Sequence, residues 1–173
     1  DLILVARDKK RLTDTAKSLS KEFGVKCEIL VADLTKSAQL AKVEKRLASK
    51  VKPIEVLINN AGFGINKSFL DSARDAEQEL LDVLVTAPMR LTHSVLPIMK
   101  ERNSGTVVNV SSVASWIAGG TYSAAKSYLT VFTESLHTEL RGTKVNISAL
   151  CPGFTRTESV SYTHLTLPTK RIV

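Results

Sequence analysis

Gly105-Thr106-Val107-Val108-Asn109-Val110-Ser111-Ser112 decides how this chain is read. Thr106 to Val110 is a β-branched, mostly apolar run that reads as a strand, and it ends on two hydroxyls. Downstream stands Tyr122-Ser123-Ala124-Ala125-Lys126, opening a helix that the pattern carries to about Arg141, where Gly142 suits the C-terminal cap. A phenol is a poor acid or base at neutral pH. A lysine four residues on lies on the same helix face, one turn away, and its charge favours the phenolate. A serine hydroxyl nearby can hydrogen-bond a substrate oxygen while the tyrosine gives or takes its proton. Tyr-x-x-x-Lys alone fits any exposed helix, so the flanking elements carry the weight.

Those elements alternate. Leu2 to Ala6 reads as a buried strand, and Asp8 can cap a helix running to about Phe23 with Gly24 at its end. Cys27 to Ala32 is the next strand. Ser37 to Lys50 reads as a helix with Leu40, Val43, Leu47 and Val51 on one face, ended by Pro53. Val56-Leu57-Ile58 forms a strand running into Asn59-Asn60-Ala61-Gly62. A long helix is expected from about Asp75 to Arg102, bent or broken at Pro88 and Pro97. Lys144 to Leu150 is a further strand, closed by Pro152-Gly153. Continuous apolar strands separated by helices predict a parallel sheet covered on both faces.

Four blocks stand in order at or just beyond these strands: Asn59-Asn60-Ala61-Gly62, Ser111-Ser112, Tyr122-x-x-x-Lys126, and Pro152-Gly153-Phe154-Thr155-Arg156-Thr157. In this the chain resembles a classical short-chain dehydrogenase/reductase over about Asp1 to Glu158. The resemblance implies an α/β fold: a Rossmann-type doubly wound parallel sheet in three α/β/α layers. It further implies that the first strand, glycine turn and first helix of that fold are absent, as is its last strand. No G-x-G-x-x-G cluster for pyrophosphate occurs here. Residues 1–159 are therefore expected to be a partial NAD(P)-binding domain. Val160 to Thr169 resembles the conceptual translation of a transposon-type sequencing adapter, so residues 160–173 are expected to be an artefactual, disordered tail.

The resemblance also implies roles. Tyr122 would be the general acid in reduction and the base in oxidation. Lys126 would tune it and bind the nicotinamide ribose. Ser112 would polarise the substrate oxygen, with Ser111 as the other candidate. Asn60, Ala61 and Gly62 would border the cofactor, and Pro152, Gly153 and Thr157 would lie along its nicotinamide side. Asp33, after the strand Cys27–Ala32, matches the adenine-side acid, although a capping Asp would look the same. The end of the first strand here would face the adenosine ribose, where an acid selects NAD and a base accommodates the 2′-phosphate of NADP. Ala6 takes the acidic position and Arg7 follows it, so Arg7, supported by Arg11 or Lys10, points to NADP(H). The family's relay asparagine falls on Leu84, which cannot hydrogen-bond.

Composition fits one globular unit: 173 residues, 43% hydrophobic. The net charge of +7 comes from lysines spread over several helices without an aromatic platform, which argues against nucleic acid. No run approaches the roughly 20 apolar residues of a membrane span. His93 and His137 lack ligand spacing, so no metal is expected. Cys27 and Cys151 form no disulfide framework, and a reducing cytoplasm is the default. The expected activity is NADP(H)-dependent interconversion of a carbonyl and a secondary alcohol. A nucleotide-binding relative without turnover and an inert truncated fragment are the alternatives. Leu80, Leu84, Leu91, Leu129, Phe132 and Leu136 exceed what one sheet contact needs, and the resemblance implies a homodimer or homotetramer of the intact parent through the two long helices.

Overall fold

The computed structural model describes residues Asp1–Gly153. Five strands and five α-helices alternate: β1 (Leu2–Ala6), α1 (Lys9–Phe23), β2 (Cys27–Val31), α2 (Ser37–Leu47), β3 (Val56–Asn59), α3 (Arg74–Leu81), α4 (Ala87–Arg102), β4 (Gly105–Val110), α5 (Gly120–Glu139) and β5 (Val145–Leu150). A π-helical turn, Asp82–Thr86, joins α3 to α4, and a 3-10 turn, Val113–Trp116, follows β4.

Every strand pair is parallel. β1 pairs with β2 in the register Leu2↔Cys27 to Ala6↔Val31. β4 lies between β3 and β5, with Asn59 opposite Asn109 and Val110 opposite Leu150. The described strands thus form two parallel sheets, β1–β2 and β3–β4–β5, and one apolar core joins them. In that core Leu40, Val43 and Leu47 of α2 meet Leu91, Val95 and Met99 of α4, Val107 of β4 and Ile147 of β5. Each burial pattern follows the helix period of three or four residues.

Local chemistry sets the boundaries. Asp8 Oδ1 accepts from the Arg11 N–H at 3.0 Å, and Gly24 closes α1 in the left-handed region at φ 67°. The helix α2 ends at Leu47, short of the expected Lys50, and Val51 is 76% exposed rather than on the buried face. The reason is a side-chain turn. Ser49 Oγ accepts from the Val51 N–H and donates to the Val51 carbonyl, taking both backbone groups out of the helix.

The expected long helix is real but interrupted at one proline. Pro88 has no N–H, and its ring excludes the carbonyl four residues back, which belongs to Leu84. The chain answers with the π-turn at Asp82–Thr86. Pro97 stays inside α4. Of the six residues expected to make a subunit interface, Leu80, Leu84, Leu91 and Leu129 are buried within the chain. The apolar surface of α5 is instead Tyr128, stacked on Phe132 at 5.6 Å between ring centroids, and exposed Val131.

Candidate functional site

The buried stripe of α5 is unusual for a helix on a sheet. It reads Ser123, Lys126, Thr130 and Thr133 alongside Ala125 and Leu129, so polar groups share the core-facing side. Each of them is satisfied, because among the described residues no buried side-chain nitrogen or oxygen lacks a partner.

Lys126 is 5% exposed, and its Nζ donates to the Val110 carbonyl at 2.7 Å. Burial pushes its ammonium below the usual lysine range, a shift that the nearby Cys151 opposes. The Tyr122 ring lies on the same face, its centroid 5.7 Å from Lys126 Nζ.

The two serines differ in kind. Ser111 is buried, and its Oγ donates to the Lys126 carbonyl at 2.9 Å beside Thr130 Oγ1 at 2.8 Å and Ser115 Oγ at 2.8 Å. It is committed to holding α5. Ser112 is only half-buried, and its Oγ accepts from the Ala114 N–H at 3.1 Å, which caps the 3-10 turn. As an acceptor in that bond, the hydroxyl keeps its own proton. Ser111 is thus tied into α5, whereas Ser112 caps the turn that follows β4.

Asn60, Ala61 and Gly62 leave the end of β3 as exposed backbone. A Cβ on Gly62 would stand 2.9 Å from Leu84 Cδ2 and 4.0 Å from Lys126 Nζ. Leu84 is 1% exposed and cannot readily yield, so this backbone can come close to the lysine only as glycine. Leu84 in the π-turn, Asn59, Ala61 and Lys126 share the lining of a cavity of about 20 Å³. A second cavity, of about 40 Å³, is lined by Tyr122, Ile65, Phe69 and Leu80 together with Lys67, Glu77 and Thr121.

The other end of the site is polar and open. Arg7 and Arg11 are exposed at the start of α1. Asp33 follows β2, and hydrogen bonds from the Thr35 hydroxyl and the Thr35 N–H hold its carboxyl below the usual range, with Arg7 and Lys36 adding Coulomb support. Both bonds fall on Oδ1. Pro152 and Gly153 follow β5, and the Pro152 carbonyl accepts from the Val113 N–H at 3.0 Å. Thr157, the proposed boundary at residue 159 and the tail from Val160 lie outside the described residues. His93 and His137 are exposed on separate helices, and no cluster of metal-ligating side chains occurs among the described residues.

Several participants escape a motif reading. Thr130, Ser115 and Asn109 belong to no spacing pattern. The only hint is an asparagine inside an otherwise β-branched strand. Glu77 of α3 accepts from Ser72 Oγ at 2.5 Å and from the Thr121 hydroxyl beside Tyr122, and these bonds hold its carboxyl low.

Parallel strands with crossover helices, ending on a Tyr–Lys helix and a small-residue turn, define a dinucleotide-type α/β protein. The chain belongs to the short chain dehydrogenase family, whose pattern it matches over residues 1–166. It is 36% identical to the ketoacyl reductase HetN of Nostoc sp. strain PCC 7120 over 98% of this chain and 58% of that protein. It is 32% identical to an NADP-dependent 3-hydroxy acid dehydrogenase of Schizosaccharomyces pombe, covering 91% of this chain and 62% of that one. Among solved structures it resembles a Sphingobium yanoikuyae short-chain dehydrogenase in complex with NADPH. There the TM-score is 0.88 and the identity 37%, over 91% of this chain and 62% of that one. The chain thus spans less than two thirds of the length of each of these relatives.

Proposed function

We propose that the protein is an NADP(H)-dependent oxidoreductase that interconverts a carbonyl and a secondary alcohol. The observation that carries this reading is the placement of Tyr122 and buried Lys126 on one face of α5, beside a Ser112 hydroxyl with a proton to give. In the reductive direction Ser112 donates a hydrogen bond to the carbonyl oxygen and fixes its position. Tyr122 then supplies the proton to the forming alkoxide. Lys126, held by Val110, keeps positive charge against the tyrosine and stabilises its phenolate once the proton has left. In oxidation the same groups run in reverse.

The cofactor supplies and accepts hydride. The residues present at its nicotinamide and adenosine ends fit it: the open Asn60–Gly62 turn gives room beside Lys126, and Lys126, Pro152 and Gly153 would flank the nicotinamide. Asp33 Oδ2 would accept from the adenine amino group. Arg7, with Arg11 beside it, would hold the ribose 2′-phosphate, for which guanidinium geometry is well matched. NADPH in the similar Sphingobium yanoikuyae enzyme supports that choice. The 40 Å³ cavity beside Tyr122, lined by Ile65, Phe69 and Leu80 and by Lys67, Glu77 and Thr121, would take part of the substrate. No helix of the described residues is long and apolar enough to cross a membrane. Assembly of two or four copies would use the exposed Tyr128 and Val131 face of α5.

Leu84 motivates a second reading. A buried leucine beside Lys126 offers no hydrogen bond to a proton relay, which suits a nucleotide-binding protein without turnover. Oxidation of NADPH by a preparation spanning the full length of its relatives, with a panel of ketones, separates the two. Turnover establishes the first reading. NADPH binding without turnover on any ketone establishes the second.

A further inference from the structure

Three successive residues at the end of β4 hold α5. Asn109 Nδ2 donates to Thr133 Oγ1 at 2.8 Å, the Val110 carbonyl accepts from Lys126 Nζ at 2.7 Å, and Ser111 Oγ donates to the Lys126 carbonyl at 2.9 Å. The first of these extends through the sheet. Asn109 Oδ1 accepts from Asn59 Nδ2 at 2.8 Å, and Asn59 Nδ2 also meets Thr92 Oγ1 at 3.1 Å. Thr133 Oγ1 continues to the Leu129 carbonyl at 2.6 Å. A single hydrogen-bonded line therefore crosses α4, β3, β4 and α5. Thr92 and Asn109 are fully buried and Thr133 is 2% exposed.

Apolar burial is non-directional, so a helix can slide a fraction of an ångström on a sheet at little cost. Hydrogen bonds weaken steeply with angle and distance, so they set what burial leaves loose. Asn109 brings such a group into a strand that otherwise packs Val107, Val108 and Val110, where an apolar side chain would avoid the desolvation of an amide. Thr133 stands two turns from Lys126 on the same buried stripe, and Tyr122 is one turn further.

We propose that Asn109 is a positioning residue for the Tyr122–Lys126 pair: by anchoring Thr133 it sets the axial register of α5 on β4. This rests on the reading of Tyr122 and Lys126 as the reacting groups. Displacement of reacting groups by about 1 Å can cost roughly a hundredfold in rate, so a small slip of α5 is enough to matter.

The test uses Thr133→Val, Thr133→Ser and the double variant Asn109→Val/Thr133→Val in a full-length preparation. Thr133→Val leaves the Asn109 amide unsatisfied and lowers both Tm and kcat. Thr133→Ser keeps the hydroxyl and restores both. The double variant replaces the polar pair with an apolar contact and recovers Tm. The expected result is that its kcat stays about tenfold low while KM for NADPH changes less than about twofold. Return of kcat together with Tm would show a purely structural role and overturn the proposal. Crystal structures of the parent and the double variant give a readout independent of turnover. Lys126 Nζ moving by about 0.5 Å or more against Val110 supports the proposal, and an unmoved Nζ overturns it. If the parent turns over no ketone, the reductase reading falls, while this comparison still decides whether Asn109 sets the register of α5.

Discussion

Lys126 Nζ donates to the carbonyl of Val110 at 2.7 Å, from a side chain that is 5% exposed. The strand that carries the two serines thus also holds the lysine of the helix that follows it. The consequence is a cation kept in a place that disfavours its charge, since burial lowers its pKa. A group whose folded pKa is depressed below 10.5 loses protons before its unfolded counterpart. Between the two values the unfolded state binds more protons, so stability rises with pH. Below that window the buried charge counts fully against the fold.

This gives a prediction on Lys126→Met. Stability of the parent relative to the variant should shift in the parent's favour as pH rises from neutral toward 10.5. Thermal melts at a series of pH values measure it, each kcal/mol appearing as about 2–4 °C in a chain of this size. A difference independent of pH would show that Lys126 keeps an ordinary pKa.

Tyr122→Phe keeps the ring against Lys126 and removes the proton. Turnover should fall by roughly 10²–10⁴, the usual contribution of a positioned acid, with NADPH affinity nearly unchanged. Lys126→Ala should impair both, because it removes the charge and the contact proposed with the cofactor. Steady-state kinetics with a fluorescence titration of NADPH distinguish the two patterns. Near-normal rates in the Phe variant would remove Tyr122 from the acid's role.

Arg7 is exposed at the end of β1 and near enough to Asp33 to influence its charge. NADPH should bind more tightly than NADH, and Arg7→Ala should narrow the ratio by roughly tenfold or more, the worth of a charge-assisted hydrogen bond. Equal affinities in the parent would refute Arg7 as the 2′-phosphate ligand.

How far the sequence can be read depends on range. Asp8 and Gly24 closed α1 where local capping chemistry put them, and the apolar strands paired in parallel as their continuous runs require. Tyr122 and Lys126 met because four residues make one helical turn. Val51 leaves the buried face because the competing Ser49 turn is a side-chain event that periodicity does not register. Choosing between Ser111 and Ser112 needed the partners of each hydroxyl: Ser111 is bonded to Lys126 and Thr130 of α5, distant in sequence, whereas Ser112 bonds Ala114 two residues on. The Asn59–Asn109–Thr133 line was invisible for the same reason: it depends on register between β3 and β4 and on which face of α5 meets the sheet.

Leu84→Asn sets two effects against each other. The leucine is 1% exposed in the π-turn, packed with Leu80, Ala125 and Tyr122, and close to both Gly62 and Lys126. Replacing it removes apolar contacts and leaves space, which in cores costs about 2–5 kcal/mol for a leucine truncated to alanine, and an asparagine adds the desolvation of its amide. The new amide carbonyl would face Lys126 Nζ, which has donors beyond the one given to Val110. That contact supplies the hydrogen-bonding group that a proton path to Lys126 lacks beside Leu84. The expected outcome is a variant with a lower Tm and a kcat raised roughly tenfold, since proton transfer by positioned groups is worth at least that much. Leu84→Ala provides the control, because it opens the same space without the amide and should lose stability with no gain in rate. Rates for the two variants that fall together would show that Leu84 serves packing alone and that protons reach Lys126 by another route.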